Sequence, residues 1–438
     1  MSTPSPRVLL LAYYFPRATG IASERMVGFH RYLPAAGWDP LVVAPRNPHF
    51  HQASGRNGED PPSVIRTGSL ELSRLLRCGL GEPAGSSTVT PVSTLGPARA
   101  LRGVVREFLY VPDAQIGWVP FAVRAGARAL ERDREGDWVV FSSSVPYSAH
   151  LAAARLASRF RLPWVAEFRD PWSAQDESQL PRSSFRRKLD RRLEEWILQR
   201  ADGIVVTADR TREIILEHFP GTAPEKVVVI PNGFDPRPPA EMPGPGDPMT
   251  IVHAGTLHAP EYALPFLRAA ASVEREKPGS LLFLGLGDPA PWLEAIQSLE
   301  LFDLPWIVLR GNVLSEEAQE VIWRGSVLLL PAPHPRFRLI LLGKLFSYLG
   351  ARRPILGVVP PGSEMEALIR QAGDGRLVPE WDEEGIRRQL EALLEDHRAG
   401  RLQHLRVPED RVAPFTRETR SIALARFLDE VLERGSRC

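Results

Sequence analysis

Cysteine is nearly absent. Cys78 and Cys438 are the two thiols in 438 residues, they lack metal-ligand spacing, and one is the chain terminus. That excludes a disulfide framework and a thiolate metal cluster, and it fits a reducing cytoplasm. Long apolar runs are missing too: none approaches the roughly 18 residues that span a bilayer, and no basic lead into a signal-type core precedes Arg7. Membrane contact is therefore expected to be peripheral. A net charge is also lacking, with 54 lysines and arginines against 53 acids and no basic tract interleaved with aromatics. Nucleic acid is not an expected partner. Lysine itself is scarce, limited to Lys188, Lys226, Lys277 and Lys344 beside 50 arginines. Retention of a compact ammonium at 344 hints at use rather than chance.

What remains is ample for packed cores. The chain is 43% hydrophobic and long enough for two to three domains. Short apolar runs separated by helical patterns occur at Val8–Tyr13, Leu41–Ala44, Trp138–Phe141, Trp164–Phe168 and Ile204–Thr207. A second series follows at Thr250–His253, Leu281–Leu284, Trp306–Leu309, Ser326–Leu330 and Pro354–Val358. Strands alternating with helices predict parallel sheets, here two Rossmann-like halves in an α/β chain. A helix capped by Ser23 is expected to follow Gly20, with Met26, Phe29 and Leu33 inward. Pro236–Pro248 holds six prolines and reads as a connector. The expected domains are 1–240, with a mobile Pro/Gly/Ser-rich insertion at 45–98, and 241–412, followed by a final helix at 413–438. Arg182–Arg200 reads as a surface helix packed by Leu189, Leu193, Trp196 and Ile197, with a basic membrane-facing helix as the alternative.

Open α/β sheets bind ligands at the carboxyl ends of their strands. Four segments are placed there. Phe15–Ser23 contains Gly20, whose backbone permits close approach before a helix amino end. Val145–His150 offers Tyr147 and His150 as partners for sugar hydroxyls, and a packed histidine is the bland alternative. Glu167-Phe168-Arg169-Asp170-Pro171-Trp172 gathers two carboxylates and a guanidinium, with Asp170 the leading general base and an Arg169–Asp170 structural pair the alternative. Gly343-Lys344-Leu345-Phe346-Ser347-Tyr348-Leu349 reads as a short helix leading into the strand at Pro354. No cluster has metal-ligand spacing.

These segments resemble the retaining glycosyltransferases of family 4, which have the GT-B fold, over nearly the whole chain. The resemblance implies two Rossmann-like domains facing a cleft, an acceptor-side first domain, a donor-binding second domain and a last helix crossing back to the first. It makes Gly20, Gly255, Thr256, Gly285, Gly287, Asn312, Val313, Lys344 and Ser347 donor-binding candidates. Tyr147, His150, Glu167, Arg169 and Asp170 become acceptor-side candidates, with Asp170 and Lys344 catalytic. Lys344, Arg336 and Arg338 are the candidates for neutralising a diphosphate.

The chain also departs from the family. One glycine stands at Gly20 where two are usual, and His258-Ala259-Pro260-Glu261 replaces an arginine and lysine after Gly255. Leu339 and Ser347 replace a pair of glutamates, the second of which bonds the donor ribose. The implied function is transfer of a sugar from a nucleoside diphosphate sugar to a glycan or lipid-linked acceptor, with no cofactor and no metal. A cytoplasmic location, with peripheral contact at the inner membrane face left open, is a family-level expectation. Two alternatives stay open: a GT-B binding or partner protein without turnover, and a nucleotide-sugar epimerase.

Overall fold

Val8 to Leu11 have no exposed surface, as expected of a strand covered by helices on both faces. In the computed structural model they form β1 (Arg7–Leu11) at the centre of a seven-stranded sheet. The structure describes residues 5–15, 21–46, 60–70, 110–173, 183–237, 241, 244, 247–301, 304–313, 315–373 and 375–435. The chain forms two compact units, Met1–Pro231 with Arg420–Cys438, and Asn232–Thr419.

In the first unit β2 (Asp39–Pro45), β3 (Val64–Thr67), β4 (Trp138–Ser143), β5 (Trp164–Phe168), β6 (Gly203–Val206) and β7 (Val227–Val229) join β1 in the order β3-β2-β1-β4-β5-β6-β7. All the pairings are parallel, and Leu10 lies beside Val42 on one side and Phe141 on the other. Alternation along β1 divides its side chains between two cores. Leu9 and Leu11 join Trp118, Ala122 and Leu156 on one face. Val8 and Leu10 join Phe29, Phe427 and Leu428 on the other.

The helix Arg417–Gly435 supplies the last two of these residues, so the end of the chain completes the core of the first unit. A side chain at Gly203 would meet Phe427 at 2.7 Å, so glycine lets this helix lie close to β6. Trp38 Nε1 donates to Asp429 Oδ1 at 3.0 Å and fixes the helix from the side.

Three expectations change. Val64–Thr67 forms an edge strand within the segment 45–98, because it can pair in register with Val42–Pro45. The first helix begins at Ile21, so Ser23 lies inside it and does not cap it. The helix Ser184–Arg200 buries a charged stripe: Arg186, Asp190 and Glu194 are 4%, 1% and 2% exposed, above Ile197 and Leu198. Ile197 is buried as expected, Leu193 and Trp196 are half-buried and pack against the same core, and Leu189 is half-buried. The stripe is tolerable because each charge is paired or hydrogen-bonded: Arg186 Nε bonds Asp190 at 2.9 Å, and Glu194 accepts from Ser173 N at 2.9 Å.

The second unit contains β8 (Met249–Ala254), β9 (Leu281–Leu286), β10 (Ile307–Arg310), β11 (Val327–Pro331), β12 (Ile355–Val358) and β13 (Arg376–Val378). Their order is β10-β9-β8-β11-β12-β13, again parallel throughout. The chain reverses its direction of winding between β8 and β11, which creates a crevice at their carboxyl ends.

Candidate functional site

In the second unit three glycine turns lie side by side above β8, β9 and β10. Gly255 N donates to Leu286 O at 3.0 Å, and Gly287 N reaches Gly311 O at 3.4 Å. Gly255 and Gly287 have φ of 102° and 118°, which side chains other than glycine's rarely adopt. A Cβ on Gly287 would lie 2.7 Å from Gly255 O, so the turns pack this closely only because residue 287 is glycine. Gly285 lies inside β9 against Leu309 and supports this floor from beneath. Asn312 and Val313 follow β10, with Asn312 exposed and Val313 half-buried.

Lys344 opens the helix Lys344–Ala351 beside the crevice. Its Nζ donates to Thr256 O at 2.9 Å and lies 3.3 Å from His253 Nε2. His253 Nδ1 is 3.2 Å from Leu329 O. Donation from Nδ1 to that carbonyl leaves Nε2 as an acceptor for the lysine. Burial, followed by the charge on Lys344, holds the His253 pKa well below its ordinary value. Tyr348 closes the underside: its hydroxyl accepts from Ala254 N at 2.9 Å and lies 3.3 Å from Leu329 O, so it joins β8 to β11. Both groups that touch the ammonium are neutral, and Lys344 makes no ion pair among the described residues. Desolvation pushes its pKa down to about 7.

Of the other cations considered, Arg338 lies 3.6 Å from Glu380, whereas Arg336 rests against Tyr262 and Phe337. The Ser347 hydroxyl is 3.4 Å from Gln319 Nε2, on the neighbouring helix Ser315–Arg324. Sequence reading missed Gln319 and His253. No spacing connects either to its partner, although His253 directly precedes the Ala254-Gly255 turn.

The first unit carries a second set of groups at the carboxyl ends of β4 and β5. Arg169 Nη2 donates to Val145 O at 2.8 Å, and its Nε donates to Ser144 O. Asp170 is half-buried and has neither ion pair nor side-chain hydrogen bond among the described residues. Desolvation raises its pKa, and the nearby Arg169 opposes that rise. Glu167 is wholly buried: it pairs with Arg25 at 2.8 Å and accepts from Ser143 Oγ at 2.5 Å, so its carboxylate is committed within the protein.

His150 is also wholly buried, with Nδ1 2.8 Å from Ser142 Oγ. Its Nε2 finds no hydrogen-bond partner among the described residues. Burial pushes its pKa down to about 3, so the ring is neutral. Tyr147 stacks on Trp172 with centroids 4.0 Å apart. Sequence reading did not single out Asp113, which caps the helix Ser148–Phe160 by accepting from Ser148 N at 2.9 Å and Ser148 Oγ at 2.5 Å. Gly20 lies outside the described residues. The structure thus brings Gly255, Thr256, Gly287 and Lys344 together in one unit, and Arg169 and Asp170 in the other.

Two parallel sheets of this kind, one of them completed by the last helix of the chain, define the GT-B fold of glycosyltransferases. Residues 88–237 match the model of Glycosyltransferase Family 4, which bears out the resemblance in the first unit. The chain is similar in structure to sucrose-phosphate synthase from Thermosynechococcus elongatus, at 16% identity and TM-score 0.63, covering 98% of this chain and 100% of that one. It is likewise similar to HepE from Anabaena in complex with UDP and glucose, at 12% identity and TM-score 0.58, with 97% and 100% covered. A third similar structure is the pneumococcal O-GlcNAc transferase GtfA in complex with UDP and GlcNAc, at 13% identity and TM-score 0.58, with 98% and 99% covered. No curated protein sequence matches the chain.

Proposed function

We propose that this protein is a glycosyltransferase that moves a sugar from a nucleoside diphosphate sugar to a hydroxyl of a glycan or lipid-linked acceptor, with retention at the anomeric carbon. The observation that carries the reading is Lys344, an ammonium with only neutral partners beside the glycine floor of the second unit. A diphosphate needs what this edge offers: backbone turns without side chains in the way, a helix amino end, and a cation not already neutralised. UDP complexes of HepE and GtfA support a nucleotide-sugar donor. Gly255 and Gly287 would lie beneath the diphosphate, with Thr256 beside it and the turn at Asn312 and Val313 near the base.

The departing diphosphate, already doubly charged, gains one further negative charge as the glycosidic bond breaks, and Lys344 would stabilise it with the helix amino end in place of a metal. In the first unit Asp170 is the group fitted to accept the acceptor's proton, because burial keeps its carboxyl more basic than usual and no side chain competes for it. Tyr147, His150 and Glu167 serve as packing and support, since all three are buried. A cytoplasmic location with peripheral contact at a membrane accompanies this reading. Among the described residues no helix is long and apolar enough to cross a membrane.

Ser347 favours a second reading, a donor-binding GT-B protein without turnover. Its hydroxyl meets Gln319 and offers one hydrogen bond where a carboxylate would offer two. The two readings are separated by incubating the protein with a nucleotide sugar and a panel of glycan and lipid-linked acceptors. Free nucleoside diphosphate released only with an acceptor present establishes the transferase. Tight donor binding without release under any acceptor establishes the binding protein.

A further inference from the structure

Lys344 and the amino end of its helix account for a diphosphate, which leaves Arg336 unused. Arg336 lies in the turn Pro335–Arg338 after β11. Its guanidinium carbon is 5.3 Å from the ring centroid of Tyr262 and 4.7 Å from that of Phe337. Its Nε is buried without a hydrogen-bond partner, and it forms no ion pair among the described residues. Glu261, whose charge also reaches Tyr262, makes no ion pair with it. Arg336 and Lys344 both act on His258, which places the two cations in one neighbourhood.

Beside them stands Trp381, on the loop after β13. Its ring lies 6.0 Å from Tyr262, it is 41% exposed, and its backbone is left-handed with φ of 59°. A bulky aromatic residue in that conformation is strained, and its open face gains nothing from water. Residues held this way commonly belong to ligand clamps.

The strand order gives the cluster a place. Along the sheet edge the turns at Gly311 and Gly287 come first, above β10 and β9, and the crevice with Gly255 and Lys344 follows between β8 and β11. Arg336 and Trp381 come next, after β11 and β13. A nucleotide laid along this edge, with its base toward β10, directs whatever lies beyond its diphosphate toward Arg336 and Trp381. We infer that this group is an acidic sugar, its carboxylate taken by the Arg336 fork and its ring face by Trp381. The inference rests on the donor-site reading above. A neutral sugar would leave a partly desolvated guanidinium without a counter-charge, whereas a carboxylate matches its planar pair of N–H donors.

The test is calorimetric titration of the full chain with UDP, UDP-glucose and UDP-glucuronate at one salt concentration. The expected result is UDP-glucuronate binding about tenfold or more tighter than UDP-glucose. Arg336→Ala should bring the two sugars within about threefold of each other and leave UDP unchanged, which also shows that the variant is folded. Arg336→Lys should recover part of the preference, because it keeps the charge but loses the fork. Trp381→Ala should weaken both sugars alike and spare UDP. Equal or tighter binding of UDP-glucose by the unaltered protein overturns the inference. So does Arg336→Ala weakening UDP by the same factor as the sugars, which assigns Arg336 to the diphosphate. If no nucleotide binds the unaltered protein, the donor-site reading itself fails and this inference goes with it.

Discussion

Donor affinity should depend on pH through Lys344. Desolvation by burial pushes the ammonium down to about 7, and neither Thr256 O nor His253 Nε2 supplies a compensating charge. A bound diphosphate supplies it, so the pKa in the complex must rise above that of the free protein. The sign follows from linkage. Below about pH 7 the lysine is charged both with and without ligand, and affinity is flat. Above that pH, binding must take up a proton, and each pH unit weakens it by about tenfold, or ~1.36 kcal/mol, until the bound-state pKa is reached. Two pH units therefore weaken binding by about 100-fold. His253 and His258 are held below their ordinary values by burial and by Lys344, so neither titrates in this window. The assay is calorimetry with UDP-glucose from about pH 6 to 9 in buffers of different ionisation enthalpy, since its diphosphate diester has no proton to exchange there. Proton uptake should approach one per ligand at the alkaline end. Lys344→Arg, charged at every pH tested, should bind with no such slope. A flat profile for the unaltered protein, or the same slope in the arginine variant, refutes the reasoning.

Gly287→Ala should cost about 1–3 kcal/mol in urea unfolding, because it places a Cβ 2.7 Å from Gly255 O at φ of 118°; a variant as stable as the parent contradicts the account of the glycine floor. Asp170→Asn should lower turnover by about 10²–10⁴-fold without loss of stability at neutral pH. The sign is set by the raised carboxyl: the folded state gives up its proton later than the unfolded chain, so stability falls as pH rises through that window, and the amide removes the fall. Unfolding of the asparagine variant at markedly lower urea than the parent would assign Asp170 a structural role instead. Arg25→Met should cost about 3–5 kcal/mol, since it leaves Glu167 buried without its counter-ion; adding Glu167→Gln should recover part of that loss, and a loss unchanged by the second substitution argues against the ion pair.

The central strands were legible because parallel strands covered on both faces must be continuous apolar runs, as at Val8–Leu11 and Leu328–Leu330. The strands that escaped notice were edges: Val64–Thr67 and Arg376–Val378 are four and three residues long and depend on a neighbour for their pairing. Lys344 and Gly255 were legible because each sits beside a strand end and carries a distinctive chemistry, a rare ammonium in one case and a side-chain-free turn in the other. The partners that define their behaviour were not. His253 and Lys344 are 91 positions apart, and Arg25 and Glu167 are 142 apart. Glu167 read as an acceptor-side carboxylate gathered with Arg169 and Asp170 at a strand end, whereas it is buried and paired with Arg25 of the helix Ile21–Tyr32. The stripe Arg186, Asp190 and Glu194 misled for the same reason: its helical period marks an inward face as well as any apolar stripe does, but only the loops it anchors reveal that charge is buried there.

The most direct test of the central claim is thermal unfolding of the full chain, and of Lys344→Ala, against a panel of nucleoside diphosphates and their sugars. A ligand that binds only the native state stabilises it by about 2.7 kcal/mol at 100 times its dissociation constant. The account predicts a clear upward shift with one base, largely lost in Lys344→Ala. No shift with any nucleotide, or a shift that survives removal of the lysine intact, would contradict it.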